Sequence, residues 1–240
     1  MSDLAVSGSI NLREVAGLPT DSGVIRSGVL YRSGTLSGLD EAGVRALGDL
    51  GIRRVIDLRE EEEVAREPGR LPEGVLLQHT PVFLGSTASF FTNDVTLDDL
   101  YRDMIIESGP RLVEAIRGIL SDQPALVHCA VGKDRTGVTI ALTLAAVGVH
   151  EAAIVADYAR TESLLPEERN RRVLAFLRAS YPEAQHAEEL ATKSPAPVMR
   201  SLLAWIRERS GSVPGYLAEY GFGADELAAL REALVQTSRS

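Results

Sequence analysis

The spacing of apolar residues changes about halfway along this chain. Earlier residues form mainly short apolar runs bounded by Gly and Pro, as in buried strands, whereas later ones recur at the spacing of amphipathic helices. We predict strands over residues 24–31, 53–58, 75–79 and 125–128. We predict an acidic turn or short helix over 60–67 and helices over 39–50, 97–107, 110–120, 136–149, 151–161, 167–179, 197–209 and 224–235.

The order of these elements indicates the fold class. Strands cluster in the first half and helices in the second, and the two alternate around residue 130. This order predicts an α/β fold with a helical C-terminal part packed on it. Since no repeat or low-complexity linker divides the chain, we expect one domain over 1–240, strand-rich to about 137 and helical from about 138.

The segment between residues 81 and 99 has no clear period. Phe90 and Phe91 lie there among Ser, Thr, Asn and Asp, a composition typical of a mobile surface loop or lid. The alternative is that both phenylalanines simply pack beneath the loop.

Charge and hydropathy exclude several classes of protein. The chain has 34 acidic and 25 basic residues and a formal net charge of −9, which argues against a nucleic-acid partner. Residues 138–149 are the longest apolar stretch and are too short to cross a bilayer, so we expect no membrane span. The first residues lack the pattern of a signal peptide, and we expect a cytoplasmic protein.

The chain has a single cysteine, Cys129. One thiol can form neither an intramolecular disulfide nor a multi-cysteine zinc site. We expect no metal and no cofactor. The importance of Cys129 must therefore lie in packing, in reactivity or in a bond to another chain.

The surroundings of this cysteine favour reactivity. It belongs to the segment His128-Cys129-Ala130-Val131-Gly132-Lys133-Asp134-Arg135-Thr136-Gly137. Backbone N–H groups in a tight loop before a helix form an anion-binding nest, and that field stabilises a thiolate. We therefore expect Cys129 to be a nucleophile. We expect residues 130–135 to bind a phosphate group, and inorganic phosphate to be able to occupy the loop.

Each residue of this segment has an expected role. Arg135 can present its planar fork to two phosphate oxygens and help to hold the thiolate. Gly132 lets the backbone approach the anion without a Cβ clash. Thr136 can donate its hydroxyl to the sulfur of Cys129, and His128 is expected to orient the loop rather than to act as a general base.

Two structural alternatives carry less weight. A lone cysteine after an apolar strand is usually an inert core residue, but a charged run from 133 to 135 cannot be core. A Walker A loop needs Gly at 127 and Ser or Thr at 134, where this chain has Val127 and Asp134.

The segment matches the H-C-x5-R-[ST] signature of cysteine-dependent phosphatases. Its Gly-Lys-Asp-Arg-Thr-Gly run is similar to the atypical bacterial tyrosine phosphatases of the mycobacterial tyrosine-phosphatase B type. Further segments resemble the same family: 11–14, 31–33, 57–59 with Glu63, 156–158 and 215–217. The resemblance implies a P-loop phosphatase fold with a mostly parallel central sheet flanked by helices.

The resemblance also implies the reaction and its partners. The family hydrolyses phosphotyrosine, often together with phosphoserine, phosphothreonine or phosphoinositides, so the expected partners are phosphorylated proteins or phosphoinositides. Lys133 bears on this breadth, because a second charge in the loop could engage extra phosphates on an inositol ring. The alternative is a solvated lysine.

The hydrolysis needs a general acid to protonate the leaving group, and the sequence does not decide which residue it is. Family members with a lid-side acid place it just after the strand at 75–79, but residues 81–84 offer none. Asp134 is the first choice, and its alternative role is to orient Arg135 or Lys133 by an ion pair.

Other acidic residues have weaker claims to the site. Asp94, Asp98 and Asp99 become candidates for the general acid if their loop is a lid. Asp57 and Arg59, at a strand end, are expected to form a buried polar support beside the site.

Two other function classes use a similar loop. A phospho-reader would bind phosphorylated partners without turnover, but it needs only the nest and the arginine. A rhodanese-like sulfurtransferase also uses a lone loop cysteine, but the preceding His128 and the following Arg-Thr-Gly argue against it.

Overall fold

The main sheet carries the segment 129–133 at the carboxyl end of its central strand. The computed structural model describes residue 4 and residues 6–82 and 87–237. The strands are β1 (Arg13–Glu14), β2 (Pro19–Thr20), β3 (Gly23–Ile25), β4 (Leu30–Ser33), β5 (Arg54–Asp57), β6 (Leu76–His79), β7 (Ala125–His128) and β8 (Val235–Thr237).

Helices cover most of the remaining described chain. They are α1 (Glu41–Asp49), α2 (Glu61–Arg66), α3 (Thr87–Thr92), α4 (Leu97–Glu107), α5 (Gly109–Ser121), α6 (Asp134–Ala146), α7 (Glu151–Ala159), α8 (Thr161–Leu164), α9 (Glu167–Ser180), α10 (Ala187–Thr192), α11 (Ala196–Ser210), α12 (Val213–Glu219) and α13 (Ala224–Leu234). Within the described residues, no helix combines the length and apolar character needed to cross a bilayer.

The main sheet has five strands in the order β1-β4-β7-β5-β6. Only β1 runs antiparallel to its neighbour, and the other pairings are parallel. In the centre, His128 stands in register with Ser33 on one side and Asp57 on the other. The carboxyl ends of three strands therefore meet where Cys129 begins the loop.

Helices pack on both faces of this sheet. Val55 and Leu126 contribute to a core cluster with Leu47 of α1, whereas Ile56 and Val127 join the larger core on the opposite face. Adjacent strand residues point to opposite faces, so a strand covered on both sides is apolar throughout. The expected α/β class, with a mostly parallel sheet flanked by helices, is confirmed.

A second sheet joins the two ends of the described chain. Its order is β2-β3-β8, and Ile25 pairs with Val235. The larger core also draws on residues from Val15 to Val235. We propose on these grounds that the chain forms one domain.

Two predicted elements differ from the structure in ways that change the sheets. The strand expected over 24–31 is two strands in different sheets, because the chain turns between them at Gly28 with φ of 75°. The last helix ends at Leu234, and Val235 begins β8 instead of continuing the helix. The C-terminal part is therefore not wholly helical.

The segment without a period contains a helix. Residues 83–86 of the expected loop or lid lie outside the described residues, but α3 follows them directly. Phe90 and Phe91 are partly buried against the larger core, and the Phe91 ring lies 5.3 Å from that of Tyr181. Both phenylalanines thus pack inward, as the alternative interpretation expected.

Candidate active site

The loop between β7 and α6 places Cys129 inside a cavity. We call residues 129–134 the signature loop. Cys129 is only 2% exposed, and it lines a cavity of about 360 Å³ together with Asp134 and Arg135. The structure therefore brings the expected nucleophile, oxyanion-binding arginine and first-choice acid to one place.

Gly132 fixes the course of the signature loop. Its φ is 69°, a conformation that residues with a Cβ rarely adopt. A Cβ at this position would also lie 2.4 Å from the carbonyl oxygen of Ser33. Glycine is thus required by the close approach of the loop to the end of β4, whereas the sequence suggested an approach to the anion.

Arg135 is anchored by Glu63 of α2. Both terminal nitrogens of Arg135 donate to the Glu63 carboxylate, Nη2 to Oε1 at 2.8 Å. Its Nε is buried and has no hydrogen-bond partner among the described residues. Burial lowers the pKa of Arg135, but Glu63 and Cys129 more than offset it and hold this pKa above its ordinary value. The guanidinium therefore stays charged, with Nε left to donate to an oxyanion.

Asp57 and Arg59 form a buried ion pair outside this cavity. Arg59 Nε and Nη2 donate to the Asp57 carboxylate, the latter at 2.7 Å. Burial tends to raise the pKa of Asp57, yet Arg59 and His128 bring it below its usual value. Neither residue lines the cavity that contains Cys129. Their position suits a supporting rather than a catalytic part.

His128 links this pair to the signature loop. Its Nδ1 lies 3.3 Å from the carbonyl oxygen of Cys129, and its Nε2 lies 3.5 Å from Asp57 Oδ2. Burial lowers the pKa of His128 to about 4, despite the opposing charge of Asp57. The imidazole is therefore neutral near pH 7, and its contacts suit the orienting role expected of it.

Lys133 points away from the cavity. Its side chain is fully buried, Nζ donates to the carbonyl oxygen of Lys193 at 2.9 Å, and the same atom lies 3.0 Å from Asp134 Oδ1. Lys133 does not line the cavity. Lys133 is therefore not a solvated lysine. Nor does it lie in the cavity, where it could bind extra phosphates of a substrate.

Asp134 and Glu63 both line the cavity, and Glu63 is paired with Arg135. Asp134 Oδ1 accepts a hydrogen bond from the Tyr101 hydroxyl at 2.9 Å. Asp94 instead accepts from the backbone N–H of His186 at 2.9 Å, and the Asp99 carboxylate accepts from the hydroxyl of Thr96, the N-cap of α4, at 2.6 Å. Neither they nor Asp98 line the cavity with Cys129. Asp134 is therefore the best placed of the four candidate acids.

Thr136 differs from its expected role. Its hydroxyl oxygen is buried and has no hydrogen-bond partner among the described residues, so it does not donate to the sulfur of Cys129 here.

Comparison with known proteins identifies the chain. Residues 4–236 match the tyrosine phosphatase family. The chain belongs to this family. It is 30% identical over 273 residues to the triple specificity protein phosphatase PtpB of Mycobacterium tuberculosis, with 95% of this chain and 97% of that protein covered. It is 26% identical over 223 residues to a tyrosine-protein phosphatase of Nostoc commune, covering 88% of this chain and 76% of the relative.

The chain is also similar to a solved structure, that of TpbA of P. aeruginosa in complex with pTyr. Its TM-score is 0.43 at 16% identity, with 82% of this chain and 88% of that chain covered. The resemblance drawn from the sequence, to cysteine-dependent tyrosine phosphatases, is confirmed by the family match.

The rest of this tyrosine phosphatase cavity was not predicted from the sequence. Apolar side chains from four helices, α3, α4, α9 and α10, form its walls, and Arg169 of α9 adds a cation to them. The apolar wall residues are Phe90, Phe91, Leu100, Val173, Phe176, Leu177, Leu190 and Ala191. Helical spacing marked several of these positions as apolar, but it gave no sign that they lie opposite Cys129.

A buried polar network behind the signature loop was also missed. Asn11 Nδ2 donates to the carbonyl oxygens of Val131 at 3.1 Å and Gly132 at 2.9 Å. Arg32 Nη2 donates to the same Gly132 oxygen at 2.8 Å, and Asp157 holds its Nη1 at 2.6 Å. Asn11, Arg32 and Asp157 all lie in segments that resemble the family, and this was the signal that could have found them.

The neutral His128 makes stability depend on pH. Its folded pKa of about 4 lies below the unfolded value of 6.5, so the unfolded chain takes up the proton first as pH falls. Between about pH 7 and pH 5 the native protein should lose about 2 kcal/mol of unfolding free energy through this group alone. Urea unfolding of wild type and His128→Gln at both pH values measures the difference. An equal pH dependence in the two proteins would contradict a buried neutral imidazole.

Proposed function

We propose that this member of the tyrosine phosphatase family hydrolyses phosphate monoesters, above all protein phosphotyrosine, through a phosphocysteine formed on Cys129. The observation that carries the proposal is the shared cavity of Cys129, Asp134 and Arg135, in which Arg135 Nε has no protein partner among the described residues. Together they supply a nucleophile, an acid and a hydrogen-bond donor to an oxyanion within one cavity.

The first chemical step transfers the phosphoryl group to the enzyme. The Cys129 thiolate attacks phosphorus in line, an S–P bond forms, and the bond to the leaving oxygen breaks. Arg135 and the loop N–H groups hold the transferring oxygens. Asp134 gives its proton to the leaving oxygen, so that a neutral alcohol or phenol departs.

The second step regenerates the thiolate. The Asp134 carboxylate takes a proton from water as that water attacks phosphorus, and the S–P bond breaks. Inorganic phosphate leaves, Cys129 returns as thiolate and Asp134 is again protonated. The same carboxyl group therefore serves as acid and then as base.

The cavity walls support an aryl substrate. Phe90, Phe91 and Phe176 surround the space above the signature loop with apolar surface, which suits a phenyl ring better than the short polar side chain of phosphoserine. The relative PtpB is named a triple specificity phosphatase, and we propose phosphoserine and phosphothreonine as slower substrates of this chain. The partners are then phosphorylated proteins.

The structure removes the argument for phosphoinositide substrates, which rested on Lys133 as a second charge in the loop. Lys133 is fully buried and bonded to Lys193. Arg135 and Arg169 are the cationic side chains among the described residues that line the cavity. We therefore rank phosphoinositides below phosphoproteins as substrates.

Replacement of the nucleophile tests the proposal directly. Cys129→Ser should lower phosphate release from p-nitrophenyl phosphate by about 10³-fold or more, because the S–P intermediate cannot form. Binding of a phosphotyrosine peptide, measured by calorimetry, should persist because Arg135 and the loop N–H groups are unchanged. Full turnover in this variant would refute the mechanism.

Assays of the wild-type protein separate the three function classes. Peptide binding without phosphate release would indicate a phospho-reader. Sulfur transfer from thiosulfate to cyanide, without phosphatase activity, would indicate a sulfurtransferase. Either result would replace the proposal.

The acid role of Asp134 predicts a dependence on the leaving group. Asp134→Asn should lower kcat on a phosphoserine peptide by about 10²-fold, but only a few-fold on p-nitrophenyl phosphate, whose leaving group needs no proton. Asp94→Asn and Asp99→Asn are matched controls, and both should keep wild-type rates. Equal losses of Asp134→Asn on the two substrates would assign Asp134 a structural role instead.

A further inference from the structure

The carboxylate of Asp134 is held through one of its two oxygens. The Tyr101 hydroxyl donates to Oδ1 at 2.9 Å, and Lys133 Nζ lies 3.0 Å from the same atom. None of the hydrogen bonds among the described residues reaches Oδ2. The two oxygens therefore have different surroundings, although either could in principle carry a proton.

Tyr101 is rigidly placed for this contact. It is fully buried on α4, and its ring packs edge-on against that of Tyr158 with the centroids 6.0 Å apart. The two hydroxyl oxygens lie 2.8 Å apart. Burial is the main cause that raises the pKa of both phenols above the ordinary value, so both stay protonated.

The direction of this hydrogen-bond chain follows from counting protons. A phenol has one proton, and that of Tyr101 is used in its bond to Asp134. Tyr158 must therefore donate to Tyr101 in the remaining contact. The chain runs from Tyr158 through Tyr101 to Asp134 Oδ1, and it stabilises negative charge on that oxygen.

Lys133 restrains the same oxygen from another element. Its ammonium also donates to the carbonyl oxygen of Lys193, just after α10. A buried ammonium with two oxygen partners has little freedom to turn into the cavity. Asp134 Oδ1 is thus fixed jointly by α4 and by the end of α10.

We propose that Tyr101 is a positioning residue that fixes Asp134 Oδ1, so that Oδ2 is the oxygen that passes the proton to and from the reacting groups. The inference rests on the acid role of Asp134 proposed above. When the proton leaves Oδ2 for the leaving oxygen, the new negative charge is shared with Oδ1. The Tyr101 hydroxyl and the Lys133 ammonium stabilise the charge on that oxygen. When Oδ2 takes a proton from water, that charge is removed again.

The test removes one hydroxyl and keeps the ring. Tyr101→Phe should lower kcat about tenfold on phosphoserine peptides and on aryl phosphates with poor leaving groups. It should change kcat little on p-nitrophenyl phosphate, and it should leave KM and the affinity for tungstate unchanged. A role in packing alone would not give this dependence on the leaving group.

Tyr158→Phe is the matched control. It removes a hydroxyl of the same kind one hydrogen bond farther from Asp134, and its losses should be clearly smaller on every substrate. Equal losses of Tyr101→Phe across all leaving groups, or a weaker affinity for tungstate, would overturn the inference. A larger loss in Tyr158→Phe would do the same.

A double variant separates this inference from the function on which it rests. Adding Tyr101→Phe to Asp134→Asn should cause no further loss, because the group that Tyr101 positions has gone. A further tenfold loss would refute the positioning role while leaving the acid role intact. If Asp134→Asn alone shows no dependence on the leaving group, the acid role itself fails. Should Tyr101→Phe not fold, Lys133→Met must show the same dependence on the leaving group for the inference to stand.

Discussion

The signature loop depends on buried hydrogen bonds to its carbonyl oxygens. Asn11 and Arg32 together hold the carbonyls of Val131 and Gly132 from behind. A peptide unit whose carbonyl is held on one side directs its N–H toward the other, so these bonds favour N–H groups that face the cavity. Without these hydrogen bonds, the carbonyl oxygens of the loop could turn toward the cavity, where they would repel an anion. The polar residues behind the loop are therefore as much a part of the proposed anion site as the loop itself.

This support brings buried charge with it. Asp157 pairs with both Arg13, at 3.0 Å, and Arg32, at 2.6 Å, and all three are buried. Burial lowers the pKa of Arg13 to about 10, which still leaves it charged at neutral pH. Two cations against one carboxylate leave a positive excess behind Gly132. An anion held by the loop would offset part of the cost of burying this surplus positive charge, which is consistent with the phosphate site proposed above.

The sequence pattern predicted the elements that depend on residues close together in the chain, and it missed those that depend on distant pairing. Residues 125–127 are apolar because β7 is covered on both faces, and the predicted ends of the strand, 125 and 128, agree with the structure. The split of 24–31 into β3 and β4 was missed, because only pairing with β8 and β7 reveals that one stretch serves two sheets. The spacing of Cys129 and Arg135 predicted that both line one site. The hydrogen bonds that Arg135 donates to Glu63 were not predicted, because no period in the sequence relates α2 to the start of α6.

The side-chain direction of Lys133 shows most plainly what a motif leaves open. A lysine in an anion loop suggests a ligand contact, but this one is satisfied inside the protein by Asp134 and by the carbonyl of Lys193. A buried ammonium without such partners would be costly, so the connection after α10 has to stay in place while Lys133 is charged. The C-terminal helices therefore do more than form the cavity walls. Through Lys133 and Tyr101 they and α4 hold Oδ1 of Asp134 in place, and this coupling is visible only in three dimensions.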